Sequence, residues 1–149
     1  MAQPVKLTIP SDPEYLCLLR KVLHHLLCTH AVSEETAARL ILCIDEACSN
    51  IIKYSYNGEK DKPIDISFFF EADRFIVKIH DYGIQHDTQK FTPRSLEDVK
   101  PGGLGTHFMK EIMDEVSYCT DRNEGTLLTM VKKLKGKHYS AREGGKGKQ

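Results

Sequence analysis

Apolar and polar positions alternate through Val5-Lys6-Leu7-Thr8-Ile9 and stop at Pro10, which predicts a short strand suited to a sheet edge. The spacing then changes to that of a helix. Leu16, Leu19, Leu23, Leu26 and Leu27 recur on one face up to about His30, with Ser11 as the expected N-cap, Pro13 in the first turn and Glu14 completing a capping box. A second start follows at Ser33, where Glu34 and Glu35 suit the positive end of a helix dipole. Its apolar stripe, Ala37, Leu40, Ile41, Ile44, Cys48, Ile51 and Ile52, predicts a helix to about Tyr56, closed by Asn57-Gly58.

Beyond the turn at Lys60–Pro63 the composition becomes β-branched and aromatic. Residues 64–70 and 75–80 are expected to form an antiparallel hairpin around Ala72-Asp73-Arg74, running directly into Asp81-Tyr82-Gly83. Residues 84–101 show no clear periodicity and contain Pro93 and Pro101; they are expected to be a lid-like loop with one helical turn near 95–99. Gly102-Gly103-Leu104-Gly105 then opens a short helix carrying Phe108, Met109, Ile112 and Met113. Residues 116–120 and 126–131 form the last strand pair, around Asn123-Glu124-Gly125. This order of elements predicts an α+β, two-layer sandwich in which a mostly antiparallel mixed sheet carries helices on one face.

A chain of 149 residues with no internal repeat needs only one domain. The formal net charge of zero conceals a basic tail: Lys135, Lys137, Arg142, Lys146 and Lys148 stand against Glu143, in a segment with little to bury. Residues 1–134 are therefore expected to form the domain, and 135–149 a disordered basic tail. Since a nucleic-acid-binding domain needs a basic face carried by the fold, direct contact with nucleic acid is not expected. No apolar run is long enough to cross a bilayer and no leader pattern is visible. Cys17, Cys28, Cys43, Cys48 and Cys119 are odd in number and lack C-x-x-C spacing, so buried thiols in the reducing cytoplasm are expected.

Three stretches carry candidate chemistry. Glu46 and Asn50 lie four apart on the second helix, so a carboxylate and a carboxamide share one stripe, although a solvated pair is the ordinary reading of such spacing. Asp81, at the end of a strand and two residues before Gly83, offers an acceptor for an exocyclic amine beside a backbone that can approach a flat ligand; alone it is also a plain turn. Gly102-Gly103-Leu104-Gly105 at a helix start exposes amides suited to phosphate oxygens, or is simply a flexible cap. His80, His86 and His107 fall near these stretches without metal-binding spacing.

Taken in order, Asn50 on a helix, Asp81-x-Gly83, Gly103-x-Gly105 before a helix and Gly125-Thr126 at a strand start resemble the GHKL ATPase superfamily with its Bergerat fold. Asp45-Glu46-Ala47-Cys48-Ser49-Asn50-Ile51-Ile52-Lys53-Tyr54, with Gly102–Gly105 through Met113-Asp114-Glu115-Val116, is similar to the anti-sigma factor serine kinase branch, the bacterial partner-switching kinases. The resemblance covers about residues 5–134. It implies ATP and Mg²⁺, with Asn50 as the metal ligand and Glu46 as the general base on a serine hydroxyl. It also implies that Asp81 and Thr126 hold adenine beside Gly83, and that Gly102, Gly103, Leu104, Gly105 and Thr106 hold phosphates. The implied partners are a small STAS-type anti-sigma factor antagonist, a sigma factor and a second copy of the chain; the alternative is a nucleotide-gated binding regulator without kinase activity. Gln85, Leu104 and Tyr54 depart from the residues common at those positions in the branch.

Overall fold

The computed structural model describes residues 3–84, 103–120 and 125–135, with the backbone alone for 103–107. The expected lid from residue 85 on, with Gln85 and His86, the glycine at 102, the turn at 121–124 and the tail beyond residue 135 lie outside the described residues.

Strand β1 (Val5–Pro10) is followed by a single 3₁₀ turn at Pro13–Tyr15 and by α1 (Leu16–Thr29). Asp12 is the cap of this turn, its side chain accepting from the Glu14 amide at 3.0 Å. Ser11, the expected cap, is instead fully buried: its hydroxyl donates to the Glu59 carbonyl and accepts from the Lys62 amide at 3.1 Å. A tertiary partner has taken the group that the local pattern assigned to the helix. Helix α2 (Glu34–Asn50) begins as expected, with Ser33 Oγ accepting from the Thr36 amide at 3.2 Å, and passes into a π-helical turn over Ile51–Ser55. Asn57 and Gly58, both at positive φ, end it, and the Gly58 amide reaches back to the Ile52 carbonyl at 2.7 Å.

The remaining elements are β2 (Pro63–Phe70), β3 (Arg74–Asp81), α3 (Gly103–Ile112), β4 (Glu115–Cys119) and β5 (Thr126–Lys133). The five strands form one sheet in the order β1-β2-β3-β5-β4. Every described pair is antiparallel, so the mixed character expected from the sequence is absent among the described strands.

Period-two alternation decides which face is inside. Leu7 pairs with Ile66, Ile66 with Ile79 and Ile79 with Leu128, which puts one apolar row across four strands. Against this face pack Leu16, Leu19, Leu23 and Leu27 of α1, Leu40, Ile44 and Cys48 of α2, and Met109 of α3, all in a single core. Each such side chain contributes about 1.5–3 kcal/mol on burial, offset by the entropy of ordering the chain. Among the described residues the fold is one sheet and one helical layer. Cys43 and Cys48 are buried in it as expected, whereas Cys17 and Cys28 are exposed and Cys119 is half-buried, because positions 17 and 28 fall beside the leucine stripe of α1 rather than on it.

Candidate nucleotide site

Glu46 and Asn50 occupy the last turn of α2, both half-buried, beside the fully packed Cys43, Ala47 and Cys48. The acid and the amide therefore sit at the margin of the core. Asp45, next to Glu46, serves the helix packing instead. It accepts from Arg20 Nη1 at 2.6 Å, tying α2 to α1, and this contact raises the guanidinium pKa.

Directly after Asn50 the helix widens, the Tyr56 amide bonding to the Ile51 carbonyl at 3.0 Å. Inserting a residue into a helical turn re-aims the groups beyond it and leaves the normal carbonyl ladder incomplete. One consequence is that the Ser55 carbonyl accepts from the Ile84 amide at 3.0 Å. Gly83 lies against the same carbonyl, and a Cβ built on it would stand 2.3 Å from Ser55 O. The glycine expected to admit a ligand is thus required by the protein's own backbone, which docks the end of β3 on the end of α2.

Asp81 closes β3 and is only 3% exposed. Its Oδ1 accepts from the Gly83 amide at 3.0 Å, fixing the carboxylate over the turn that comes next. Its register partner on β5 is Thr126, so the carboxylate residue and the hydroxyl residue expected to act together stand side by side on adjacent strands. Gly125 makes this approach possible. It has φ +72°, and a Cβ there would lie 1.7 Å from the Asp81 carbonyl.

Two further residues complete the arrangement and carry no signal in the sequence pattern. The Tyr56 hydroxyl donates to the Pro63 carbonyl at 2.6 Å and accepts from the Tyr82 amide at 2.7 Å, joining the end of α2 to the start of β2 and the end of β3. Burial pushes its phenol above the ordinary range, while the Tyr82 amide pulls it the other way. Ser55 contributes only its backbone, so no side-chain pattern could have revealed it. His80 stands on the opposite sheet face, its ring 4.2 Å from that of Tyr82.

The structure thus brings Asp81, Gly83 and Thr126 together and places them at the same end of α2 as Asn50 and Glu46. Helix α3 packs against α2, and Gly103 to Thr106 form its first turn. The donor set suits a magnesium nucleotide: a held, buried carboxylate reads an amine, a carboxamide oxygen suits a hard cation, and the start of a helix suits phosphate.

Residues 9–132 match the histidine kinase-like ATPase domain family, and the chain belongs to it. Within that class, similar curated proteins include serine-protein kinases named RsbW, of the branch that the local sequence resembles. The protein from Bacillus velezensis is 29% identical over 140 residues, covering 89% of this chain and 86% of the relative. Those from Bacillus subtilis and Listeria monocytogenes are 27% and 28% identical, covering 91% and 92% of this chain and 88% and 91% of the relatives. Among solved structures, the histidine kinase domain of a blue-light activated histidine kinase from Erythrobacter litoralis superposes with a TM-score of 0.54 at 14% identity. The match covers 88% of this chain and 64% of that one, and supports the fold alone.

Proposed function

We propose that residues 1–134 form an ATP-dependent serine kinase that phosphorylates a small STAS-type antagonist protein and, as an anti-sigma factor, holds a sigma factor, working as a dimer in the cytoplasm with residues 135–149 as an accessory basic tail. The names of the relatives support the reaction class. No helix among the described residues is long and apolar enough to cross a membrane. The observation that carries the proposal is the placement of the Glu46–Asn50 pair at the end of α2 where the Asp81 turn docks.

ATP with Mg²⁺ supplies the phosphoryl group and neutralises its charge when bound. The chain's own residues do the rest. Asp81 accepts from the adenine amine, supported by Thr126, while the Gly83 amide holds the carboxylate in place. Asn50 offers its amide oxygen to the cation, and the first turn of α3, preceded by the glycine at 102, directs amides at phosphate oxygens. Glu46, one turn before Asn50, accepts the proton of the serine hydroxyl. Phosphoryl transfer depends mainly on positioning and charge neutralisation, so this set is chemically sufficient.

The test is transfer of labelled γ-phosphate to the antagonist in single turnover by the parent and Glu46→Gln. The variant keeps ATP affinity within a few-fold, and transfer falls by about 10²–10⁴, toward the lower end because a loose transition state asks less of a base. Equal transfer rates would remove Glu46 from the chemistry. If the parent itself binds ATP without transferring phosphate, the chain is a nucleotide-gated binding regulator.

A further inference from the structure

At the end of α2 remote from the nucleotide site, three side chains of different chemistry meet across the elbow between the first two helices. His24 and Cys28 are four apart on α1 and therefore project from one face; Glu34 is the first residue of α2. His24 Nε2 stands 3.1 Å from Glu34 Oε2 and 3.6 Å from Cys28 Sγ, and Cys28 Sγ stands 3.6 Å from Glu34 Oε1. All three side chains reach solvent, so the position is accessible to an ion.

We infer that His24, Cys28 and Glu34 form a binding site for a borderline divalent cation, zinc above all, which staples α1 to α2. The first reason is metrical. Bonds of about 2.0 Å to nitrogen and oxygen and about 2.3 Å to sulfur, at tetrahedral angles, separate nitrogen from oxygen by about 3.3 Å and sulfur from either by about 3.5 Å. The two separations from His24 Nε2, 3.1 Å to Glu34 Oε2 and 3.6 Å to Cys28 Sγ, fall within a few tenths of an ångström of those values, and one ligand atom from each residue lies within 4.8 Å of the others. Cys28 Sγ faces the other carboxylate oxygen, Oε1, so an ion asks for a turn of the Glu34 carboxylate rather than a movement of the helices. The second is the donor set. A thiolate, an imidazole and a carboxylate together select zinc over magnesium or calcium, which prefer oxygen alone, and two negative ligands match a divalent charge. The fourth position faces solvent and takes water.

The elbow is otherwise well formed, which gives the ligands a fixed base. Ser33 caps α2 immediately before Glu34, the Val32 amide bonds to the Leu27 carbonyl at 3.0 Å, and the ring of His30 stacks on Phe70 at 3.8 Å. Glu34 and Asn50 are the first and last residues of α2. The cation therefore acts on the helix pair and takes no part in phosphoryl transfer. An ion bound by the folded chain and not by the unfolded one raises stability in proportion to its occupancy.

The experiment uses the full chain, stripped of metal, titrated with Co²⁺ under visible and ultraviolet absorption and with Zn²⁺ by calorimetry and thermal melting. The expected result is one equivalent bound with a thiolate-to-cobalt charge-transfer band and tetrahedral d–d bands. At a hundredfold excess of Zn²⁺ over Kd, Tm rises by roughly 5–10 °C. Cys28→Ser abolishes the band, and His24→Gln and Glu34→Gln each weaken Zn²⁺ at least tenfold, the least that loss of even an outer-shell partner costs. Cys17→Ser, on the exposed thiol elsewhere on α1, leaves all of this unchanged. A band that survives Cys28→Ser, or a Tm indifferent to Zn²⁺, would overturn the site and leave a hydrogen-bonded surface cluster.

Discussion

At its amino end α2 is finished by its own sequence, whereas at its carboxyl end it is finished by the rest of the fold. Ser33 caps the first turn from one residue away, and Glu34 and Glu35 oppose the dipole, so that end needs little from elsewhere. The other end loses the α ladder at Ile51, and its orphaned groups find partners far along the chain: the Ser55 carbonyl takes the Ile84 amide, and Tyr56 links Pro63 to Tyr82. A locally capped end is sturdy and independent of the nucleotide. A tertiary-capped end is tied to the Asp81 turn, next to the helical turn that carries Glu46 and Asn50.

The contrast can be broken most severely at Gly83. Gly83→Ala puts a Cβ against the Ser55 carbonyl, a backbone atom that cannot swing aside, and about 3 kcal/mol of stability is lost by urea unfolding. ATP affinity falls with it, because the turn holding Asp81 no longer docks on α2; a variant with parental stability and affinity would show the two elements to be independent. Midway along the helix, Cys43 gives a pH-dependent measure. Burial pushes its thiol up to about 11, with Lys132 acting weakly in the opposite sense. As pH rises through 9 the unfolded chain loses this proton before the folded one does, so the stabilisation is complete below that pH and declines toward pH 11, by about 2 kcal/mol. Tyr118, pushed up to about 12 by burial, extends the decline. Urea melts between pH 8 and 11 follow it, and Cys43→Ala, less stable at the outset, shows a shallower slope.

Tyr56→Phe tests the carboxyl end more gently. Removing the hydroxyl leaves the Tyr82 amide and the Pro63 carbonyl to find new partners, at a cost of about 1–2 kcal/mol, and nucleotide affinity drops several-fold by calorimetry. Ser33→Ala is the matched change at the amino end. It costs about 1 kcal/mol or less in thermal unfolding and leaves ATP affinity as it was. Were Ser33→Ala to weaken ATP as much as Tyr56→Phe does, the two ends would not differ in the way described.

The sequence disclosed the features that depend on neighbours along the chain. The leucine stripe of α1, the Ser33 cap, the two β runs leading into Asp81 and the Asn57-Gly58 stop are all visible as spacing and residue type. The nearness of Asp81 and Thr126 is implied by the family resemblance, and the strand register sets the two side by side. The features that escaped depend on contacts at long range. Ser11-x-x-Glu14 has the form of a capping box, yet Glu59 and Lys62 claim the serine hydroxyl. Gly83 is expected to give a ligand room, and the backbone that needs the space in the folded chain is that of Ser55. The π turn has no marker in residue type, and the exposed Cys17 and Cys28 were hidden by the apolar company they keep. His24 and Cys28 did leave a legible trace, four-residue spacing on one helix face, but Glu34 joins them only once the helices fold back on each other.

The register of β1 carries a further consequence, for the order in which the chain assembles. Strands β2 and β3 are joined by a tight turn at Glu71–Asp73, and α1 and α2 by a short elbow, so both hairpins close cheaply and early. Pairing Pro10 with Pro63 instead closes a loop of roughly fifty residues, and among the described strands β1 has a neighbour on one side only. On a ribosome β1 emerges before both helices and β2, and must wait for them before it meets the strand it pairs with. Through that interval Leu7 and Ile9 remain uncovered, which leaves this strand open to a chaperone until β2 arrives.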